Sequence, residues 1–284
     1  MSFSSEQVKA AFARAARTYD EAAVVQKEIL FRLVEKLKII HTRKVDTLLD
    51  LGSGTGLARE SLSEHYGELC YFALDFAFPM LEFAKNEAIS HSLNAVCANV
   101  EQLPFREASL DIIFSASTLQ WSNDAEKVFQ QCYQALKEQG SLIFSSFGPA
   151  TLKELRYSFE QVDDHSHISN FVDIQTLGDS MLACGFSSPV MESEIITVEY
   201  TNPMHLLKDL QATGATNHNQ EKLRGLMSRQ RLDDALREYE KFVLPNGKYP
   251  ASYEVLYGHG KKLRKQPARP SYQDDWETIH FHKD

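Results

Sequence analysis

Cysteine is scarce in this chain. The 284 residues hold four, Cys70, Cys97, Cys132 and Cys184, far apart and with no C-x-x-C pair. That excludes a disulfide scaffold and a zinc-ribbon framework, and it reads as reduced thiols in a cytoplasmic protein. Long apolar runs are also missing. No stretch approaches the about 20 residues of a membrane span, and the start "MSFSSEQVKA" has neither a secretory leader nor an Arg-rich, acid-poor presequence, so no membrane association is expected. There is no basic excess: 30 Lys and Arg face 39 Asp and Glu, a net charge of −9, which argues against a nucleic-acid partner. No internal repeat occurs. His165 with His167, and His280 with His282, lack further ligands at zinc spacing, so no metal is expected. What remains is a chain 43% apolar, enough for one large domain, or one domain with a sub-domain.

The apolar residues are arranged with two periods. Near the start, Ser4 and Gln7 have capping-box spacing, and Val8, Ala11, Phe12 and Ala15 share a helical face. A break falls at residues 18–20. A second helix over about residues 21–39 carries Val25, Ile29, Leu33 and Leu37 on one side. Short apolar runs then alternate with helix-like segments: "KVDTLLD", "LCYFALD", "NAVCA", "LDIIFSAS" and "GSLIFSSF", with helices starting near Gly56, Pro79 and Asn123. Near-continuous apolar strands separated by helices predict an α/β fold whose parallel sheet is covered on both faces. After Phe147 come helices near residues 150–162 and 173–183, a strand "ESEIITVEY", a polar helical stretch over about 203–242 and a last strand "ASYEVLYG". Those two late strands are expected to pair antiparallel at one sheet edge. The proline-broken tail over residues 263–284 is expected to be disordered.

The stretch "LLDLGSGTGLARE" (residues 48–60) is a strand that ends in a glycine loop and restarts as a helix. No Gly-Lys-Ser/Thr follows, which excludes a P-loop. A dinucleotide loop needs its third glycine at the position of Leu57, and here glycine comes one residue early, at Gly56. The arrangement suits S-adenosylmethionine (SAM), whose amino-acid end offers an ammonium and a carboxylate instead of a phosphate. Gly52 and Gly54 allow close backbone approach beside Ser53, free N–H groups face the carboxylate, and Asp50 balances the ammonium directly or through water. The second strand ends "ALD", with Asp75 placed to accept both ribose hydroxyls. The alternative for Asp50 and Asp75 is an ordinary strand-end acid. After the third strand comes "NVEQLPF"; likeness to SAM enzymes implies that Asn99, Val100 and Glu101 meet the adenine, with Met80 from the helix after Asp75, and the alternative for Asn99 is a capping residue in a loop. The fourth strand ends in "SASTLQW", whose backbone from Ser115 floors the methyl-transfer site and whose Trp121 lines it or simply packs in the core.

With these residues in view, the chain resembles the class I SAM-dependent methyltransferases and, more closely, the malonyl-acyl-carrier-protein O-methyltransferase family of biotin synthesis. The likeness runs from about Val8 to Lys262 and rests on "AFARAARTYD", "LDLGSGTG", "ALDFAFPML", "EQLPF", "STLQW", "FGPATLKEL", "GATNHNQEKLRGLMSRQRL" and "YPASYEVLYGH". The glycine loop and "LPF" are shared by many SAM enzymes; the first, sixth and last two stretches are the specific ones. The resemblance implies a Rossmann-like, seven-stranded, mostly parallel sheet with one antiparallel edge strand, an N-terminal helical lid over residues 1–40, and a catalytic domain over 41–262 with a helical insertion at 203–248. It implies SAM as cofactor and malonyl-acyl-carrier protein, or malonyl-CoA, as substrate, the free carboxylate becoming a methyl ester. That carboxylate is already ionised at neutral pH, so no catalytic base is required and positioning supplies the rate.

Tyr19, at the break between the first two helices, is expected to fold over the cofactor and touch substrate; its alternative is packing between helices. Arg14, Arg17, Arg229 and Arg231 are candidates to hold the malonyl carboxylate. Lys222, Arg224, Arg229 and Arg231, with no acid among residues 222–231, form a basic patch suited to an acidic carrier protein, or else a solvated helix face. Three departures from the family pattern stand out: Ser53 replaces a common Cys, Asn99 replaces a usual aspartate on the adenine so that weaker recognition is expected, and "HISNF" carries Asn170 where the family usually has Arg before the Phe. Other readings on the same fold are a methyltransferase of a quinone-type precursor and a respiratory-complex assembly factor.

Overall fold

The computed structural model describes residues 5–41, 43–87, 93–215 and 228–263. The chain opens with three helices: α1 (Ser5–Ala15), the short α2 (Tyr19–Ala22) and α3 (Val24–Ile40). The alternating part follows as β1 (Thr47–Leu51), α4 (Arg59–Tyr66), β2 (Cys70–Asp75), α5 (Phe78–Glu87), β3 (Asn94–Cys97), β4 (Leu110–Ser115), α6 (Ala125–Ala135) and β5 (Leu136–Phe147). Then come α7 (Lys153–Glu160), α8 (Ile174–Ala183), β6 (Ser187–Tyr200), α9 (Pro203–Ala212), α10 (Arg229–Tyr239) and β7 (Tyr249–Lys261). All seven strands expected from the apolar runs are present. Ser4, half of the expected capping box, and the tail over 264–284 lie outside the described residues.

The strands form one sheet in the order β3-β2-β1-β4-β5-β7-β6. β1 to β5 run parallel, and β7 is antiparallel to both β5 and β6. The reversed strand is thus second from the edge, and β6 closes the sheet. Burial explains the composition of each strand. β1 and β4 are covered on both faces and read as unbroken apolar runs, whereas β6 alternates half-buried with exposed positions, as an edge strand does. Two edge acids on β6 are tied to α3: Arg32 pairs with Glu194 (2.6 Å) and Lys36 with Glu192 (2.5 Å).

One core layer packs α3, α4, α7 and α10 on the sheet through Ile29, Leu33, Leu62, Leu155 and Tyr239. The other packs α6 and α8 through Phe129, Cys132, Leu177 and Met181. A separate small cluster of Ala16, Ala77 and Met80, with Phe12, Tyr19 and Phe76 against it, joins the first helices to the loop after β2. The carboxyl ends of β1, β2 and β4, the ligand side of an open α/β sheet, therefore lie beneath α1 and α2.

Candidate active site

The glycine loop is built by its neighbours. Both the Gly52 and Ser53 N–H groups donate to the Leu74 carbonyl (2.7 and 2.9 Å), which ties the loop to the end of β2. Gly52 has φ +75°, and a Cβ there would lie 2.1 Å from the Thr118 hydroxyl. Gly54 has φ +54° with open space where its side chain would be, and its N–H donates to the Asp75 carboxylate (3.1 Å). Across the loop, Ser117 holds φ +53° at the end of β4, secured by its N–H on the Ser145 hydroxyl (2.9 Å). A non-glycine residue in that region is backbone strain kept where three strands end.

Two acids face this loop from inside the protein. Asp75 is buried; its oxygens accept from the Gly54 and Ala77 N–H groups, and burial still pushes its pKa up to about 6. Asp50 is buried further, accepts from the Tyr71 hydroxyl at 2.5 Å, and is pushed up to about 7 by burial, with Asp75 adding repulsion. Among the described residues neither acid is paired with a cationic side chain. Burial and the two carboxylates Asp75 and Asp20 hold the Tyr19 phenol well above its ordinary value, so it stays a protonated donor. Buried carboxylates without a cation are costly. A ligand bringing an ammonium near Asp50 and a diol near Asp75 supplies what they lack, so the residues present fit SAM.

The site has three adjoining spaces that share lining residues. The first, between the glycine loop and α1, is lined by Phe12, Tyr19, Gly54, Asp75, Met80, Asn99, Val100, Glu101, Thr118 and Trp121. A smaller one beside it is lined by Tyr19, Gln26, Asp50, Ser53, Thr55 and Ser117. The third is an apolar chamber of about 210 Å³ under α7 and α9, walled by Phe147, Leu152, Leu155, Phe159, Phe171, Leu207, Leu210 and Tyr253. Trp121 belongs to both the first space and the chamber. The indole thus stands at a boundary between two clefts, which plain core packing does not describe.

The predicted residues sort unevenly. Asp50, Gly52, Ser53, Gly54, Asp75, Met80, Asn99, Val100, Glu101, Tyr19 and Trp121 come together around the first two spaces. The Ser53 hydroxyl is buried without a protein partner. Asn99 lines the cleft, and its side-chain oxygen accepts from the Glu101 N–H (2.9 Å), the bond of a capping residue in a loop. The Glu101 carboxylate takes the Ser122 hydroxyl (2.8 Å) and the Asn123 N–H (3.1 Å), bracing the turn that presents Trp121.

Ser115 is a correction. Its side chain is fully buried and donates to the Leu51 carbonyl (2.9 Å), clamping β4 to β1; the three residues after it line the cleft instead. Strand alternation turns the Ser115 side chain into the sheet's packing layer. Gly56 is a second correction: it lines none of these spaces, and its missing Cβ lets the loop lie against Ala84 of α5 (3.3 Å to a built Cβ).

The predicted cations are not gathered. Arg14 and Arg17 are exposed and line none of the three spaces. Arg229 is exposed at the start of α10, and Arg231 lies 3.7 Å from Asp163. Lys222 and Arg224 lie outside the described residues. Asn170, the departure from the family's Arg, accepts from Arg156 (3.0 Å), whose guanidinium also donates to the Ser169 carbonyl (3.0 Å). A cation from α7 therefore reaches the place where the sequence lacks one. Sequence reading missed Phe12, Thr118, Gln26 and the chamber walls. Phe12 was visible only as part of an apolar helix face, and nothing in the sequence marks Gln26.

The chain matches the family described as "Methyltransferase domain" over residues 49–144. Among solved structures, the YcgJ protein from Bacillus subtilis has a TM-score of 0.60 at 15% identity, over 82% of this chain and 99% of that one. A phosphoethanolamine N-methyltransferase of Haemonchus contortus in complex with phosphomonomethylethanolamine and S-adenosylhomocysteine has a TM-score of 0.51 at 17% identity, over 82% of this chain and 52% of that one. Fold and site together define a class I SAM-dependent methyltransferase. Among curated proteins, the malonyl-(acyl-carrier protein) O-methyltransferase of Gallionella capsiferriformans is 40% identical over 90% of this chain and 90% of its own length. That of Methylovorus sp. is 38% identical over 93% and 91%. The chain belongs to the malonyl-acyl-carrier-protein O-methyltransferase family.

Proposed function

We propose that this protein transfers a methyl group from SAM to the free carboxylate of a malonyl thioester on acyl carrier protein, an early step of biotin synthesis. The observation that carries the reading is that Trp121 lines both a SAM-type cleft and an apolar chamber. SAM, when bound, supplies an electrophilic sulfonium methyl. The new bond joins a carboxylate oxygen to that methyl, the sulfur–methyl bond breaks with its electron pair left on sulfur, and no proton moves. The protein's own residues orient and exclude water. Asp50 and Asp75 hold the ammonium and the ribose hydroxyls; the Gly52, Ser53 and Gly54 N–H groups, expected to be free for the carboxylate, are instead given to Leu74 and Asp75, which leaves the unpartnered Ser53 hydroxyl as the loop's donor; Asn99, Val100 and Glu101 border the adenine, and Met80 packs beneath. Tyr19, with α1 and α2, serves as a lid over residues 41–262, and α9, at the start of the 203–248 insertion, walls the chamber through Leu207 and Leu210.

The test is purified protein with methyl-labelled SAM and malonyl-carrier protein, which should yield a base-labile methyl ester that depends on the malonyl group. The apolar walls also suit an aromatic acceptor, so a demethylated quinone precursor belongs in the same assay. Label on that acceptor, and none on malonyl thioesters, would overturn the reading. Malonyl-CoA is expected to serve as a poorer substrate. Nucleic acid and membranes are not expected partners, and among the described residues no helix is long and apolar enough to cross a membrane.

The acidic carrier is proposed to meet Arg229 and Arg231, with Lys222 and Arg224 beside them in the sequence. Two arginines in the first turn of α10 oppose the helix dipole, so their placement favours an external anion. Changing both, Arg229→Glu with Arg231→Glu, should slow methylation of malonyl-carrier protein far more than of malonyl-CoA. Added salt should shrink the difference, since exposed charges are screened over about 8–10 Å. Equal losses on both substrates would remove the patch from carrier recognition.

The two raised carboxyls predict a pH dependence with a definite sign. Their pKa values lie above the ordinary value near 4, so in the free protein they cost stability as pH rises from about 4 to about 7. An ammonium beside Asp50 favours the ionised form and lowers its pKa, so binding releases a proton. S-adenosylhomocysteine, which keeps the ammonium and the diol, should therefore raise Tm more at pH 8 than at pH 6. Calorimetry near pH 6.5, in buffers of different ionisation enthalpy, should report proton release. Proton uptake would show that these acids bind the ligand in their neutral form.

A further inference from the structure

Gln26 stands where two of the spaces meet. It is the third residue of α3, half-buried, and it lines both the apolar chamber and the small space around Asp50 and Ser53. Trp121 lines both the chamber and the main cleft, and Gln26 is the side-chain amide shared by the chamber and the space around Asp50. Among the described residues its amide makes no hydrogen bond. Of the chamber's other polar side chains, Thr151 is tied to the Glu254 backbone, Ser166 to Ile168 and His167 to Asp163, while Ser169 and Tyr253 do not line the space around Asp50. No Lys or Arg lines the chamber among the described residues, and Arg14 and Arg17 face solvent.

We infer that Gln26 positions the acceptor carboxylate, its amide N–H₂ donating to the oxygen that is not methylated. The inference rests on the proposed function and adds to it the group that orients the nucleophile. The charge change in the reaction favours a neutral donor. The acceptor begins with a full negative charge and ends as a neutral ester. A cation in contact with it would stabilise the starting state more than the transition state and so slow the chemical step. An amide hydrogen bond gives orientation with less of that ground-state stabilisation. Near Asp50 and Asp75 the carboxylate also needs an orienting contact that does not pair with those acids in its place, which a guanidinium or ammonium would do.

The test is steady-state kinetics against malonyl-carrier protein at saturating SAM, for wild type, Gln26→Leu, Gln26→Glu and Gln26→Lys, beside calorimetry with S-adenosylhomocysteine and melting curves. Leu is a good helix former, and Glu in a first helical turn is favoured by the dipole, so both variants should fold with near-wild-type Tm. Gln26→Leu should lower kcat/KM roughly ten- to a hundredfold, as expected for one lost hydrogen bond to a charged group, with S-adenosylhomocysteine affinity within about twofold. Gln26→Glu should lose more through repulsion. Gln26→Lys should show the diagnostic split, a lower KM with a lower kcat. Wild-type kcat/KM in the Leu variant would overturn the inference while leaving the function standing. A loss confined to S-adenosylhomocysteine affinity would likewise overturn it and give Gln26 to the cofactor. A wild-type protein that methylates no malonyl thioester would overturn the function, and this inference with it.

Discussion

Replacing Asp75 with alanine should weaken S-adenosylhomocysteine binding at least tenfold, measured by calorimetry at pH 8, in a protein that still folds. The carboxylate is proposed to accept two ribose hydroxyls, and hydrogen bonds to a charged group are worth about 1.5–3 kcal/mol each. Part of the effect passes through the loop: Gly54 donates its N–H to Asp75, so the alanine also releases the turn that faces the ligand. Fold retention follows from opposing effects of similar size. A carboxyl raised to about 6, from an ordinary value near 4, costs about 3 kcal/mol at pH 8, and the substitution removes that cost. It leaves the Gly54 and Ala77 N–H groups without their acceptor, at about 1–3 kcal/mol each if no water replaces it. Tm should therefore move by only a few degrees. Asp75→Asn separates the two roles, because an amide oxygen can still take one N–H while the charge is gone. Unchanged affinity in a folded Asp75→Ala protein would defeat the assignment of this acid to the ribose.

Asp75 and its neighbours were legible in sequence because the physics that places them is local. A parallel strand covered on both faces must be an unbroken apolar run, so β1 and β4 announce themselves, and the residue at the strand's carboxyl end is fixed by counting. The same counting failed for Ser115, where being next to the cleft and facing it are different things; a strand alternates sides, and Ser115 turned inward to Leu51. The position of β7 between β5 and β6 depends on pairing segments far apart in sequence, for which composition gives no register. The apolar chamber was invisible for the same reason. Its walls come from β5, α7, the loop holding Phe171, α9 and β7, and each contributing residue looks like ordinary core when read alone. The missing family arginine at Asn170 misled in the other direction: Arg156, fourteen residues earlier, fills the gap in space.

Deleting residues 1–20 should leave a folded protein that turns over about a hundredfold more slowly. The sheet and both of its core layers are assembled without α1, whose half-buried Phe12 packs against the small cluster of Ala16, Ala77 and Met80. What the segment is proposed to supply is closure. Phe12 meets the edge of Trp121 at 5.4 Å between ring centroids and Phe76 at 6.3 Å, and Tyr19 lies 6.4 Å from Phe12. Asp20 accepts from the Thr55 hydroxyl (2.6 Å), latching the end of the segment to the glycine loop. On the far side, Gly214, with φ +69°, passes so close that a Cβ would lie 3.3 Å from the Ala11 backbone, so lid and chamber roof are packed on one another. Removing these contacts opens the cofactor cleft to water and loosens the alignment of carboxylate with methyl, where a misplacement near 1 Å costs about a hundredfold. S-adenosylhomocysteine should bind more weakly but measurably, because Asp50, Gly52, Gly54 and Asp75 remain. Tyr19→Phe divides the lid's effect. The phenol is buried beside Asp75 and Asp20 and held in its protonated form, so a large rate loss on removing the hydroxyl assigns it a hydrogen bond to ligand or substrate, and a small one assigns the ring a purely steric part. Initial rates with Tm for wild type, truncation and Tyr19→Phe check this, and a truncated protein with full activity would show that the helices over the cleft have no part in closing it.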